Sequence, residues 1–161
     1  MSRDEPAAMD EGDIFLMLSE SIVTAASCPV LVLPDNPQRA VGRSVLVAWK
    51  PRREAARALR DALPLLHKAD AITVMTIGDI AEDSVASVRA FLQAHEIHAE
   101  FSSDAGADSA AGEILLARAR LLGCDTLVMR AYGHSRFREL VLGGATRLVL
   151  QSAPIAVPMS H

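Results

Sequence analysis

The fold this sequence predicts is an open, doubly wound α/β domain: a parallel sheet of five strands with helices on both faces. Three observations predict it. From residue 44 to 159, short continuous apolar runs alternate with segments of helical spacing, in the order βαβαβαβαβ. Strands separated by helices are parallel, because each crossover returns the chain to the same end of the sheet. With 161 residues, 50% hydrophobic and 22% charged, the chain has material for one core and is no disordered polymer.

Each element has its own signal. Residues 44–49 (SVLVAW) are a run fit for a strand buried on both faces. Residues 52–67 follow at helical spacing with Ala55, Ala56, Leu59, Leu63 and Leu66, and Pro64 predicts a kink or an early end. Residues 71–77 (AITVMTI) are the second strand. Residues 83–96 are a helix with Val85, Val88, Leu92 and His95 on one face, and Asp79 or Asp83 is the expected cap. Residues 97–102 are a shorter, more polar strand, expected at an edge. Residues 109–122 are a helix with Ile114, Leu115 and Leu122 inward and Gly123 as its stop. Residues 125–129 (DTLVM) are a strand. Residues 135–152 are a helix with Phe137, Leu140, Val141, Gly144 and Leu148 on one face, and residues 155–159 are the last strand.

Composition excludes several functions. Net charge is −4, with two basic and seven acidic groups in residues 1–40 against fourteen and thirteen in the rest. The main domain is therefore nearly neutral, which argues against a nucleic-acid binder. No run free of Lys, Arg, Asp and Glu exceeds fourteen residues, 21–34 among them, short of the ~18–20 apolar residues a membrane span needs. The N-terminal residues MSRDEPAAMDEGD are acidic, unlike a secretory signal. Cys28 and Cys124 each adjoin an apolar run and read as reduced core thiols of a cytoplasmic protein. No C-x-x-C or clustered metal spacing occurs. His95 and His98 are three apart, but no third ligand accompanies them, so no metal is expected.

The residues ahead of the five-strand unit divide into an acidic tail (1–13), a helix and strand (14–33) and a linker rich in turn formers (34–43). The helix, 14–26, is amphipathic on Ile14, Leu18, Ile22 and Ala25. Residues 29–33 (PVLVL) are its strand. The stretch SESIVTAASCPVLVLP at 19–34 parallels TRLVLQSAPIAVPM at 146–159: a helix end, a turn with proline, an apolar strand. This weak repeat points to the remnant of an upstream copy of the same domain.

In sheets of this kind ligands bind outside the carboxyl ends of the strands, where strand order reverses. Two loops meet there: residues 49–54 (WKPRRE) after the first strand and 130–135 (RAYGHS) after the fourth, where Met129 ends the strand proper. A helix start behind a glycine turn offers free N–H groups to phosphate.

The stretch LVMRAYGHSRFRELVLGGATRLVLQSAPIAVPMSH, residues 127–161, resembles the C-terminal end of the universal stress protein family. The resemblance continues through SVLVAWKPRREAARALRDALPLLHKADAITVMTI, residues 44–77, and covers residues 41–161. It implies strand order 3-2-1-4-5, and it makes 14–33 similar to the last helix and strand of a preceding copy, as in tandem members. Family members that bind nucleotide carry G-x2-G-x9-G-S/T after the fourth strand. Gly133 and Gly143 keep the nine-residue spacing, but Arg130 stands at the first glycine and Gly144 at the Ser/Thr, with Thr146 two residues on. Lys50 stands where ATP binders have an acidic residue, followed by Pro51 and Arg52. Arg130 crowds the loop, Lys50 reverses a charge and Pro51 removes a donor. The resemblance therefore implies a degenerate nucleotide site made of Lys50, Met129, Arg130, Gly133, Gly143, Gly144 and Thr146, with no resident cofactor; the alternative is a switch that still holds ATP or AMP.

Other readings of these residues stay open. Gly143 and Gly144 equally serve close helix–sheet packing. Arg136, Arg138 and Arg147 read as a solvated helix face. Trp49 and Tyr132 either stack on a base or cover the sheet end. The stretch Gly133-His134-Ser135-Arg136-Phe137 half-matches a hydrolase nucleophile elbow, but its last glycine is Phe137 and no acid–histidine pair follows beyond Glu139 and His161, which leaves a Ser hydrolase as a weak alternative. The resemblance also implies dimers through the last-strand edge. In this sequence, residues 29–33 are expected to pair antiparallel with 155–159 as a sixth strand, in the same chain or by exchange with another. The expected function is a non-catalytic stress-response domain that acts on a protein partner or as a homodimer, with no nucleic acid, membrane or metal.

Overall fold

The computed structural model describes residues 11–34, 40–131 and 144–160. In chain order the elements are α1 (Glu11–Ala25), β1 (Val30–Val32), β2 (Ser44–Trp49), α2 (Arg53–Asp61), α3 (Leu63–Leu66), β3 (Ala71–Ile77), α4 (Glu82–Ala94), β4 (Glu100–Asp104), α5 (Ala111–Leu121), β5 (Thr126–Arg130), α6 (Gly144–Ser152) and β6 (Val157–Ser160). A 3-10 turn, Asp108–Ala110, leads into α5. The sheet runs β1-β6-β5-β2-β3-β4. Its five parallel strands have the expected order, and β1 adds antiparallel to β6.

Side chains of a strand alternate between faces, and this splits the core in two. Val45 and Val47 of β2, with Ile72 and Val74 of β3 and Val128 of β5, face α2, α3 and α4 through Ala58, Leu59, Leu66, Val88 and Leu92. Leu46, Met75, Leu127, Met129, Val157 and Met159 face the other way, toward α5, α6 and α1. The central strands are buried on both sides, which is why their sequences are continuous apolar runs.

The early end expected at Pro64 is present: α2 stops at Asp61, and Pro64 becomes the second residue of α3, where its missing N–H costs nothing. Other local expectations are corrected. The start of α4 is not capped by Asp79 or Asp83; Ala81 is the cap residue and makes no side-chain bond. Glu82 and Asp83 lie in the first turn and act there through the helix dipole. The third parallel strand starts at Glu100 instead of residue 97. Glu96 takes a left-handed φ of 57°, and the Ile97 N–H closes the helix end on Leu92 O at 2.9 Å, which spends Ile97 on the cap. The α5 end repeats this motif with Gly123 at φ 65° and the Cys124 N–H on Ala119 O. Leu122, expected inward, is exposed beside that cap, while Leu115 packs inward as expected, joined by Leu116 and Ala119. Of the last helix, residues 135–143, including Phe137, Leu140 and Val141, lie outside the described residues.

The largest correction concerns α1. Ile14, Leu18 and Ile22 do not face the sheet. They are about half exposed, and Ala25 is exposed too, while Leu16 (1%) and Val23 (2%) enter the core. Leu16 and Val23 are two turns apart and meet α6 and the outer strands there.

The β1–β6 register pairs Val30 with Met159, Leu31 with Pro158 and Val32 with Val157. Pro29 and Pro154 head the two similar stretches, so Val32 and Val157 are equivalent positions three residues on. They face each other directly. The two helix–strand segments are thus related by a local two-fold through that pair, with the outer edge of β6 taken up inside the chain.

The amino end of the sheet is held by Asp125. Its carboxylate accepts N–H bonds from Gly42 (2.9 Å), Arg43 (3.0 Å) and Ser44 (3.1 Å), and the Thr126 hydroxyl at 2.7 Å. Gly42 also donates to Thr126 Oγ1 at 2.8 Å. Gly42 has φ +85°, which lets three consecutive amides turn toward one carboxylate. The Asp125 N–H donates to Ser44 O, and Asp125 O accepts from Ala156, so one residue joins β2, β5 and β6.

Two outcomes test this description. Asp125→Ala leaves buried donors unsatisfied and is expected to cost about 3 kcal/mol of unfolding free energy in urea, with Asp125→Asn recovering part of it. Antiparallel partners lie about 4.5–5.5 Å apart at Cα, within disulfide reach. A Val32→Cys/Val157→Cys protein in a Cys28→Ser background is therefore expected to oxidise to a cross-linked monomer on a non-reducing gel; cross-linked dimers would show strand exchange instead.

Candidate functional site

The carboxyl ends of β2, β3 and β5 converge with the start of α5 on one crevice. It is lined by Ala48, Trp49, Lys50, Met75, Ile77, Asp108, Ala111, Leu115, Met129, Arg130 and Ala145. The strand order reverses between β2 and β5, which draws two loop mouths apart and leaves this opening. Lys50 and Arg130 both line this crevice, and buried Met129 forms its floor.

Both cations face carboxylates. The Lys50 ammonium pairs with Asp108 of the 3-10 turn. Arg130 Nη1 lies 3.5 Å from Glu54 Oε2, with the arginine side chain only 12% exposed. Glu54 sits in the first turn of α2, where a carboxylate also suits the helix dipole. The Trp49 indole N–H donates to Ser84 Oγ of α4 at 3.1 Å, which fixes the ring against the sheet end. The space left amounts to about 40 Å³. That accommodates about three waters, against roughly 300 Å³ or more for a small-ligand pocket.

The remaining predicted residues fall elsewhere. Gly133 and Gly143 lie outside the described residues, as do Tyr132, Arg136, Arg138 and the residues 133–137 weighed as a nucleophile elbow. Gly144 opens α6 in an exposed position, and among the described residues a Cβ there would meet nothing within 4 Å. The glycine that admits α6 is Gly112 of α5: a Cβ there would lie 3.0 Å from Leu148 and 3.1 Å from Ala145 O. Thr146 is wholly buried, and Ala145 supplies the crevice wall at that point. Arg147 is exposed, in keeping with a solvated face. His95 packs edge-on against Phe91 at 4.7 Å, and no group of three or more potential metal ligands occurs among the described residues.

Sequence reasoning missed Asp108, Glu54 and Asp125. The first two carry no motif, since their roles depend on which loops the topology brings together. Asp125 immediately precedes β5, and an acid at the head of an apolar run was a legible signal that its side chain turns back. Cys28 is also corrected: it is exposed, whereas Cys124 is buried as expected.

No family model matches this chain, and no curated protein does. Its fold is that of the universal stress proteins. A universal stress protein from Archaeoglobus fulgidus superposes with a TM-score of 0.70 at 21% identity, over 89% of this chain and 54% of that one. UspA from Lactobacillus plantarum gives 0.59 at 19% identity, over 76% of this chain and all of that one. A universal stress protein candidate from Pseudomonas aeruginosa gives 0.60 at 16% identity, over 99% of this chain and 60% of that one. The chain thus spans just over half the length of the Archaeoglobus protein. No described helix is long and apolar enough to cross a membrane.

Burial raises the Cys124 thiol above its ordinary pKa of 9.0. Its neutral form is the folded one, so its contribution to stability is complete below pH 9 and falls as pH rises through the raised value. In native protein at pH 8, Ellman's reagent is expected to titrate one thiol, Cys28, quickly; Cys124 is expected to react only on unfolding.

Proposed function

We propose that this chain is a universal stress protein-like domain, derived from a tandem arrangement, that acts through protein contacts and without catalysis, its adenine-nucleotide site degenerate. The observation that carries the reading is the pairing of both crevice cations within the chain. Lys50 lies against Asp108 and Arg130 against Glu54, so the side chains that stand at the positions of the family's acid and glycine are both engaged within the chain. A ligand entering there would have to break both ion pairs and displace a largely buried guanidinium, in a cavity of about 40 Å³. The local two-fold at Val32 and Val157 supports the second half of the reading, because it builds a dimer-like edge contact into one chain. Two free thiols suit a reducing cytoplasm.

Titration calorimetry with ATP, ADP and AMP tests the proposal. No saturable heat is expected for any of the three. A saturable isotherm abolished by Gly133→Asp would establish the nucleotide switch in its place, and phosphate release from the same samples would show catalysis.

A further inference from the structure

We infer that the pocket between the α1–β1 turn and α2 is a thiol-exchange site, in which Cys28 takes up one half of a small disulfide whose halves each carry two carboxylates and one ammonium. The inference goes beyond the contact-based reading above and does not depend on the crevice.

The pocket has a volume of about 320 Å³, against about 40 Å³ in the crevice. That is the lower end of the range for small-ligand sites. Three segments wall it. Residues 26–29 form the turn, Arg57, Arg60 and Asp61 come from α2, and Ser160 ends β6. The antiparallel register brings them together. Val30 lies opposite Met159, so the turn before β1 stands beside the carboxyl end of β6, and α2 packs on β5 and β6 there.

Ser160 shows that the pocket is built for a polar guest. It is 5% exposed. Val157 and Met159 join the core on the α5–α6 side, so strand alternation turns the Ser160 side chain to the α2 face, where the pocket is. Its carbonyl accepts the Ala131 N–H, but its hydroxyl has no hydrogen-bond partner among the described residues. Buried hydroxyls are ordinarily satisfied, and a carboxylate seated in the pocket would accept this one.

The charges say which guest. Arg57 and Arg60 are three apart and project from one side of α2. Among the described residues Arg60 makes no ion pair. With Asp61 the lining carries two positive charges and one negative beside the exposed Cys28 thiol. Each half of oxidised glutathione carries the inverse set: two carboxylates for the guanidiniums and an ammonium for Asp61. Such a field concentrates the matching disulfide at the sulfur. In the exchange Cys28 loses its proton to water, and its thiolate attacks one sulfur of the disulfide. The Cys28–glutathione S–S bond forms as the original S–S bond breaks, and the second glutathione leaves with the electron pair and takes up a proton. Cys28 is oxidised and the departing half is reduced.

The experiment measures exchange rates of the full chain with oxidised glutathione and with neutral hydroxyethyl disulfide, by intact mass and peptide mapping. One glutathione is expected, at Cys28. The ratio of the two rates is expected to be about tenfold higher for native chain than for chain unfolded in urea. Salt at about 1 M is expected to remove that preference. Arg57→Gln/Arg60→Gln is expected to bring the ratio down to the unfolded value while leaving the neutral-disulfide rate and Tm unchanged, since both side chains are exposed. Ser160→Ala is expected to lower the ratio about threefold, the loss of one hydrogen bond to a charged group at a partly wet site. A ratio equal in the two states, one indifferent to salt, to the paired arginine substitution or to Ser160→Ala, or an adduct on Cys124 overturns the inference. Nucleotide calorimetry reads the crevice alone, so the two proposals fail separately.

Discussion

One carboxylate holds the amino end of this sheet together. Asp125 gathers the N–H groups of Gly42, Arg43 and Ser44, three donors that enter the sheet just where no strand precedes them. Buried backbone donors need partners, and a charged acceptor with two oxygens satisfies several at once. Through its own backbone the same residue reaches β2 and β6. The relative height of β2 and β5 is set there, and with it the positions of Lys50 and Arg130 at the opposite end of those strands. A one-residue slip would turn Leu46 and Val47 to the wrong faces and take the crevice apart.

The two ends of the sheet are therefore unlike. The amino end is closed by a charge that meets only dipoles. At the carboxyl end the charges meet in ion pairs, Lys50 with Asp108 and Arg130 with Glu54, in which each partner is partly wet. Partly exposed pairs contribute little to stability. What they contribute here is placement: four charged side chains from four separate segments are held in two pairs near the carboxyl ends of β2 and β5.

Much of the architecture was legible because burial on both faces writes itself into sequence. SVLVAW and AITVMTI admit few alternatives, and helix-length segments between them force parallel order. Helix ends were less legible. Glu96 accepts a left-handed conformation that its type disfavours, and Ile97, apolar enough to pass for strand, is consumed by the cap. The face of α1 was misread for a physical reason: periodicity marks a stripe that wants burial but does not name what buries it. Ile14, Leu18 and Ile22 carry the stronger period, while Leu16 and Val23 fit the groove beside α6. At the crevice, Lys50, Met129 and Arg130 were legible from their place at strand ends, whereas Asp108 and Glu54 meet the two cations only through tertiary approach.

The Val32–Val157 contact has a consequence for how the sheet edge responds to dilution. Between separate molecules, pairing of two such strands is a second-order event whose occupancy rises and falls with expression level. Carried on one polypeptide, joined through a short tether, the same pairing is first order, with an effective local concentration in the millimolar range for short flexible connections. The seam between the two strands thus stays shut when the protein is scarce, and any regulation by abundance has to act at a different surface.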